Sequence, residues 1–327
     1  QSNDDGGRFI RQTSSVRNWV TRDGSAGPTG ERGDPAEPGR YLLYVALICP
    51  WASRTLMARA IKGLEGVIDV VVVQPALSDR GWRLGTSAEV TPDAGSPTYL
   101  HELYTQAVPT YTGRATVPVL WDRASRTIVN NESADIVRML NRSFDEFADN
   151  TIDLYPADLA PTIDALNADL YENLNNGVYK AGFARSQAAY EEAVTRVFDA
   201  LDRAESRLED SGPYLFGNRL TESDLRLFVT LVRFDAAYYG LFKCNLRRVS
   251  DYPHLSSYIE RLMAHEGVAS TVNLQHIKAG YYSIRALNPT GIIPTGPELS
   301  WAVRTANSLP IDTQTQTQTQ ENQGKRL

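Results

Sequence analysis

The chain has 327 residues, 42% of them apolar, and a formal net charge of −6 from 33 basic and 39 acidic residues. That length supports two domains with separate cores, while the acidic balance offers no basic field for a nucleic-acid backbone and no polybasic strip for an anionic membrane. No apolar run is long enough to cross a bilayer, and the opening QSNDDGGRFI lacks the regions of an export signal. A cytoplasmic protein is therefore expected, with its two distant cysteines, Cys49 and Cys244, reduced; they suit neither a disulfide framework nor a zinc site.

Residues 1–40 are rich in Gly, Pro, Asp and Arg without sustained periodicity and read as an extended arm, with at most a turn of helix near SSVRNWV. RYLLYVALI is a strand, SRTLMARAIKGL a helix ended by Gly63 and Gly66, and VIDVVVV a second strand, which together form a βαβ unit. The irregular stretch from Gln74 to Arg114 carries a possible short helix at YLHELYTQAV; loops of that length are usually functional or disordered. TVPVLWD and TIVNN are then strands, and ESADIVRMLNRSF is a helix, so a β-α-β-β-β-α order is nearly complete by residue 143. DEFADNTIDLYPADLAP reads as a linker. Beyond it the pattern is helical: YEEAVTRVFDALDRAESRLEDSG ends at Gly212, and LTESDLRLFVTLVRFDAAYYG opens on a capping box of Thr221 and Asp224 and reads as a central buried helix. The polar alternation TQTQTQTQENQGKRL cannot build a core and reads as a disordered tail.

Cys49 stands where the first strand hands over to a helix, with Pro50 in the first-turn position that needs no amide hydrogen. Backbone amides and the helix dipole should there stabilise a thiolate. In CPWA, Ala52 occupies the place of a second cysteine, so a mixed disulfide on Cys49 must be resolved by a thiol from solution. Other residues suit a small peptide thiol. A cis Val117–Pro118 bond would leave the Val117 backbone free to pair with an extended peptide, and an edge-strand proline is the plain alternative. Glu132 and Ser133, at a helix start, can take an ammonium and a carboxylate, or can simply cap the helix. Trp82 and Arg114 lie on or beside the long loop.

The ordered series LYVALICPWASRTL, GWRLG, TVPVLWD, IVNNESADIVRMLN, NNGVYKAGFA, TLVRFDAAYYGLFKCN and HIKAGYYSIRALNPTGIIPTGP resembles the glutathionyl-hydroquinone reductases, the Xi class of glutathione transferases, from about residue 9 to 297. The resemblance implies an α/β plus all-α glutathione transferase fold: an arm at 1–40, a thioredoxin-like domain at 41–145 with a long inserted loop, a helical domain at 160–265 and a C-terminal extension at 266–327. It implies Cys49 as catalytic cysteine, Trp82, Arg114, Val117, Pro118, Glu132 and Ser133 as the glutathione site, and Tyr179, Tyr238 and Tyr281 as the aromatic substrate site and proton source. Adjacent Tyr239 and Tyr282 leave two of those open by one position. Glutathione or a relative such as γ-glutamylcysteine is the implied cosubstrate, with no metal and a homodimer through the helical domain. The implied reaction is reduction of glutathionyl-hydroquinones through a Cys49 mixed disulfide. A broad monothiol thioltransferase or dehydroascorbate reductase and a non-catalytic binding module are the rivals. Cys244 reads as packing, and His276 is expected to anchor the C-terminal segment.

Overall fold

The computed structural model describes residues 2–85 and 97–302; the Thr-Gln tail lies outside them, as does part of the long loop. The chain divides into a compact unit of Gln1–Pro297 and a second of Glu298–Leu327. The first unit opens with two short pairs, β1 (Ser2–Asn3) with β2 (Phe9–Ile10), and β3 (Trp19–Thr21) with β4 (Gly33–Pro35). Next come β5 (Tyr41–Val45), α1 (Pro50–Ile61), β6 (Asp69–Val72), α2 (Leu100–Ala107), β7 (Val119–Asp122), β8 (Thr127–Asn130) and α3 (Ser133–Arg142). The four strands β5 to β8 form one sheet in the order β6-β5-β7-β8, with β5 parallel to β6 and the other pairs antiparallel. The short helix expected near residue 100 is α2, so the order is the thioredoxin-like β-α-β-α-β-β-α. Strand β5 is buried along its whole length, as its run of apolar and aromatic residues requires of a central strand.

The arm is extended, and residues 14–20, where at most a turn of helix was expected, form none. β8 is the sheet's edge, and its backbone groups take the arm as an extended neighbour: Asn18 N–H donates to Val129 O (3.0 Å), Asn131 N–H to Val16 O (3.0 Å), and Arg17 bridges to Asn130. Arg17 then pairs with Asp135 at 2.6 Å. These long-range partners outweigh the local helical preference of the segment.

The expected linker is pinned: Leu154 N–H donates to Asn141 Oδ1 (2.9 Å), and Leu154 O accepts from Glu222 N–H (2.8 Å). The helical region comprises α4 (Ala160–Asp169), α5 (Gly177–Gly182), α6 (Gln187–Ser211), α7 (Glu222–Arg233), α8 (Tyr239–Leu241), α9 (Pro253–Met263) and α10 (Leu274–Tyr282). Gly212, at φ 100°, ends α6 as its left-handed backbone allows. All of α7 is buried, and its capping box forms as read, Asp224 Oδ2 accepting from Thr221 N–H (2.8 Å) and Oγ1 (3.0 Å). Two π turns, Leu170–Asn175 after α4 and Phe234–Tyr238 after α7, widen the helices. Such turns gather at functional sites, and these precede Tyr179 and carry Tyr238. Helix α1 packs on both α3 and α7, joining the sheet to the helical region.

Candidate active site

The β5–α1 junction places Cys49 at the N-cap of α1, in extended conformation with Pro50 next. The thiol donates to Val117 O at 3.7 Å, which brings the start of α1 against the Val117–Pro118 bond, and that bond is cis. Burial pushes the Cys49 thiol above its ordinary value; the amides of Ala52 and Trp51 and the charges of Arg233 and Arg11 draw it down only in part. The helix start thus acts in the expected direction, but desolvation, which sequence does not reveal, outweighs it. Cys49 nevertheless keeps surface toward the cavity, whereas Cys244 is fully enclosed and its thiol is pushed up to about 12. Cys244 is packing, as read.

A cavity of about 360 Å³ opens at Cys49, a volume suited to a small ligand. Its lining includes every residue read as a glutathione contact: Trp82, Arg114, Val117, Pro118, Glu132 and Ser133. Arg114 lies exposed at the rim and Trp82 is half-buried. Among the described residues Val117 N–H has no hydrogen-bond partner, the condition for pairing with an extended peptide. Glu132 is the N-cap of α3, one carboxylate oxygen accepting from Ala134 N–H (3.1 Å) and the other from Ser14 Oγ (2.9 Å). Ser133 accepts from the buried Arg54 Nε at 3.0 Å. Glu132 therefore caps the helix, and with the Ser133 hydroxyl it sits at a helix start of the kind that favours a carboxylate.

On the other side of Cys49 the three tyrosines come together. Tyr281 OH lies 2.6 Å from Tyr179 OH and 2.7 Å from Tyr238 OH, forming one chain of hydroxyls. Tyr179 and Tyr281 line the cavity, while Tyr238 is wholly buried behind them. Burial raises all three phenols, so they are protonated at neutral pH. Two glycines permit this convergence. A Cβ on Gly280 would come within 2.4 Å of Ile48 Cδ1, next to Cys49, and one on Gly182 within 2.4 Å of the Phe242 ring, on which Tyr179 packs edge-on. The neighbouring tyrosines lie elsewhere: the Arg248 guanidinium sits over the Tyr239 ring, and Tyr282 OH lies near Gly240. His276 does not hold the C-terminal segment; its Nδ1 has no partner among the described residues, and Lys278 Nζ instead donates to Thr295 O at 2.7 Å.

Sequence reasoning missed two arginines. Arg233, the last residue of α7, is buried beneath the β5–α1 junction and donates to Leu47 O (2.8 Å), Ile48 O (2.8 Å), Ser53 Oγ (2.6 Å) and Val229 O (2.6 Å). It thereby ties the helical region to the turn that presents Cys49. Arg11, on the arm, stacks on the rings of Tyr179 (4.7 Å) and Trp51 (4.9 Å) and donates to Asn176 Oδ1 at 2.7 Å. A charged residue within an otherwise apolar run, as in TLVRF, is a signal that would have found Arg233; Arg11 sits in a polar arm that offers none.

A thioredoxin-like sheet joined to an all-helical region, with a cysteine at the first helix start and a peptide-sized cavity beside it, defines the class. Residues 48–143 match the glutathione S-transferase N-terminal domain and residues 187–261 the glutathione S-transferase C-terminal domain, and the chain belongs to the glutathione S-transferase family. Within it the chain falls among the Xi-class glutathionyl-hydroquinone reductases. It is 51% identical to the glutathionyl-hydroquinone reductase PcpF of Sphingobium chlorophenolicum over 89% of this chain and 90% of that protein. Against the Escherichia coli glutathionyl-hydroquinone reductase YqjG the identity is 50%, with 89% of this chain and 90% of that protein covered. The glutathione-bound structure of YqjG superposes with a TM-score of 0.83 at 49% identity, covering 89% of this chain and 97% of that one. The Xi glutathione S-transferase of Phanerochaete chrysosporium gives 0.82 at 44% identity, covering 88% and 97%.

Proposed function

We propose that this protein is a glutathionyl-hydroquinone reductase in which Cys49 is the nucleophile. One observation carries the reading: a single cavity joins Cys49, the Glu132–Ser133 helix start and the Tyr179–Tyr281 hydroxyl pair. The glutathione half of the substrate lies toward Trp82, Val117, Glu132 and Ser133, and the aromatic half against the tyrosines. The Cys49 thiolate attacks the glutathione sulfur, a disulfide forms, and the bond from sulfur to the ring carbon breaks. That carbon must gain a proton. The hydroxyl chain favours Tyr179 as the donor: Tyr238 is fully buried and best satisfied by donating to Tyr281, which then donates to Tyr179 and leaves the Tyr179 proton free for the cavity. A second glutathione thiolate attacks the mixed disulfide, releasing glutathione disulfide and free Cys49.

Because burial raises the Cys49 thiol, turnover is expected to climb with pH into the alkaline range as the thiolate fraction grows. The protein is expected to work in the cytoplasm as a homodimer through the helical region, for which the Xi-class resemblance is the support. Release of hydroquinone from its glutathione conjugate in excess glutathione tests the reading. A broad thioltransferase would instead reduce mixed disulfides and leave the aryl conjugate intact.

A further inference from the structure

We propose that Arg11 is a catalytic residue whose guanidinium charge faces the hydroquinone oxygen on which negative charge collects as the carbon–sulfur bond breaks. Arg11 reaches the cavity from the arm and is fixed from three sides. Its Nε donates to Asn176 Oδ1 at 2.7 Å, and its guanidinium lies over the rings of Trp51 at 4.9 Å and Tyr179 at 4.7 Å. Arg11 lines the cavity, and its Nη2, itself enclosed, has no acceptor among the described residues. The guanidinium charge is thus only partly compensated by protein acceptors, and negative charge that develops in the cavity beside it is stabilised. The neighbouring arginine Arg233 is already committed to four protein oxygens and cannot serve a ligand.

The proposal rests on the reductase reading, because that chemistry demands an acceptor site for charge. A thiolate cannot readily expel a bare aryl carbanion. The balanced route takes the ring through its keto form: the Tyr179 proton goes to the carbon bearing sulfur, and a ring hydroxyl gives its proton to water. Cys49 sulfur then bonds the glutathione sulfur, the carbon–sulfur pair re-enters the ring, and the carbonyl becomes the oxyanion of the released hydroquinone. A fixed cation at that oxygen stabilises the transition state without reorganising. The same placement accounts for the influence of the Arg11 charge, which draws down both the Cys49 thiol and the Tyr179 phenol.

The test compares wild type, Arg11→Met and Arg11→Lys on two substrates: the glutathione conjugate of 1,4-hydroquinone, and the mixed disulfide of glutathione with 2-mercaptoethanol, whose leaving group is a thiolate and needs no oxyanion site. Arg11→Met is expected to lower kcat on the conjugate by about 100-fold, the scale for losing one oxyanion donor, and its conjugate-to-disulfide activity ratio by at least about tenfold. Arg11→Lys, which keeps the charge without the fork, should retain part of that ratio, and added guanidinium should restore activity on the conjugate to the Met variant. An equal fall on both substrates in Met and Lys variants would reduce Arg11 to a structural role and overturn the proposal. So would a raised KM for glutathione with kcat intact, which would make Arg11 a glutathione contact. If wild type itself fails on the conjugate while reducing the disulfide, the reductase reading fails and takes the proposal with it.

Discussion

Replacing Arg233 by methionine separates the contribution of the buried cation from that of the side chain's volume. The change removes hydrogen bonds to Leu47 O, Ile48 O and Ser53 Oγ, all in or beside the turn that carries Cys49; Val229 O keeps its bond within α7. Each buried acceptor left unpaired costs about 1–3 kcal/mol. Relief from desolvating the guanidinium offsets part of the sum, which leaves a net loss of about 3 kcal/mol. The Arg233 charge also draws down the Cys49 thiol, so its removal must raise that thiol further. Urea unfolding measures the first effect as a lower midpoint at unchanged slope, and the pH dependence of Cys49 alkylation by iodoacetamide measures the second as a midpoint moved to higher pH. A stability loss under about 1 kcal/mol together with an unmoved alkylation midpoint would refute the reasoning, since neither the bonds nor the charge would then matter.

Tyr281→Phe breaks both hydroxyl contacts at once and strands the Tyr238 hydroxyl in the core; it is expected to cost about 1–3 kcal/mol and to lower kcat on the aryl conjugate. Tyr239→Phe, on the opposite face, should stay within about 0.5 kcal/mol in thermal unfolding. Asp224→Ala leaves the Leu215 and Thr221 amides without their acceptor and should cost about 3 kcal/mol by urea titration. Burial raises the Asp224 carboxyl from 3.8 to about 6. The folded protein therefore takes up a proton that the unfolded chain does not, so this group's contribution to stability is full below pH 3.8 and is lost as pH rises through about 6. Comparing the pH dependence of unfolding in wild type and Asp224→Asn isolates that slope.

The elements that bury one face were legible in the sequence because their periodicity answers to local packing: β5, α1 and the long α6 fall where the pattern put them, and the α7 capping box is a purely local device. The arm was not legible in the same way. Its partners Val129, Asn130 and Asp135 lie more than a hundred residues away, and nothing within SSVRNWV announces them. Around the cavity, the motifs that supply lining residues were readable but their environments were not. Cys49, Glu132 and the tyrosines stood in recognisable motifs, whereas the desolvation that raises the thiol arises from helices that only the fold brings together. Arg11, whose partners Trp51, Asn176 and Tyr179 are also remote in sequence, escaped notice for the same reason.

The most direct test of the account is release of hydroquinone from its glutathione conjugate in excess glutathione by wild type and by Cys49→Ala, with the enzyme-bound mixed disulfide followed by intact mass. The account predicts turnover by wild type, trapping of one glutathione on Cys49 when free thiol is limiting, and neither in Cys49→Ala. Hydroquinone release by Cys49→Ala at the wild-type rate would contradict it.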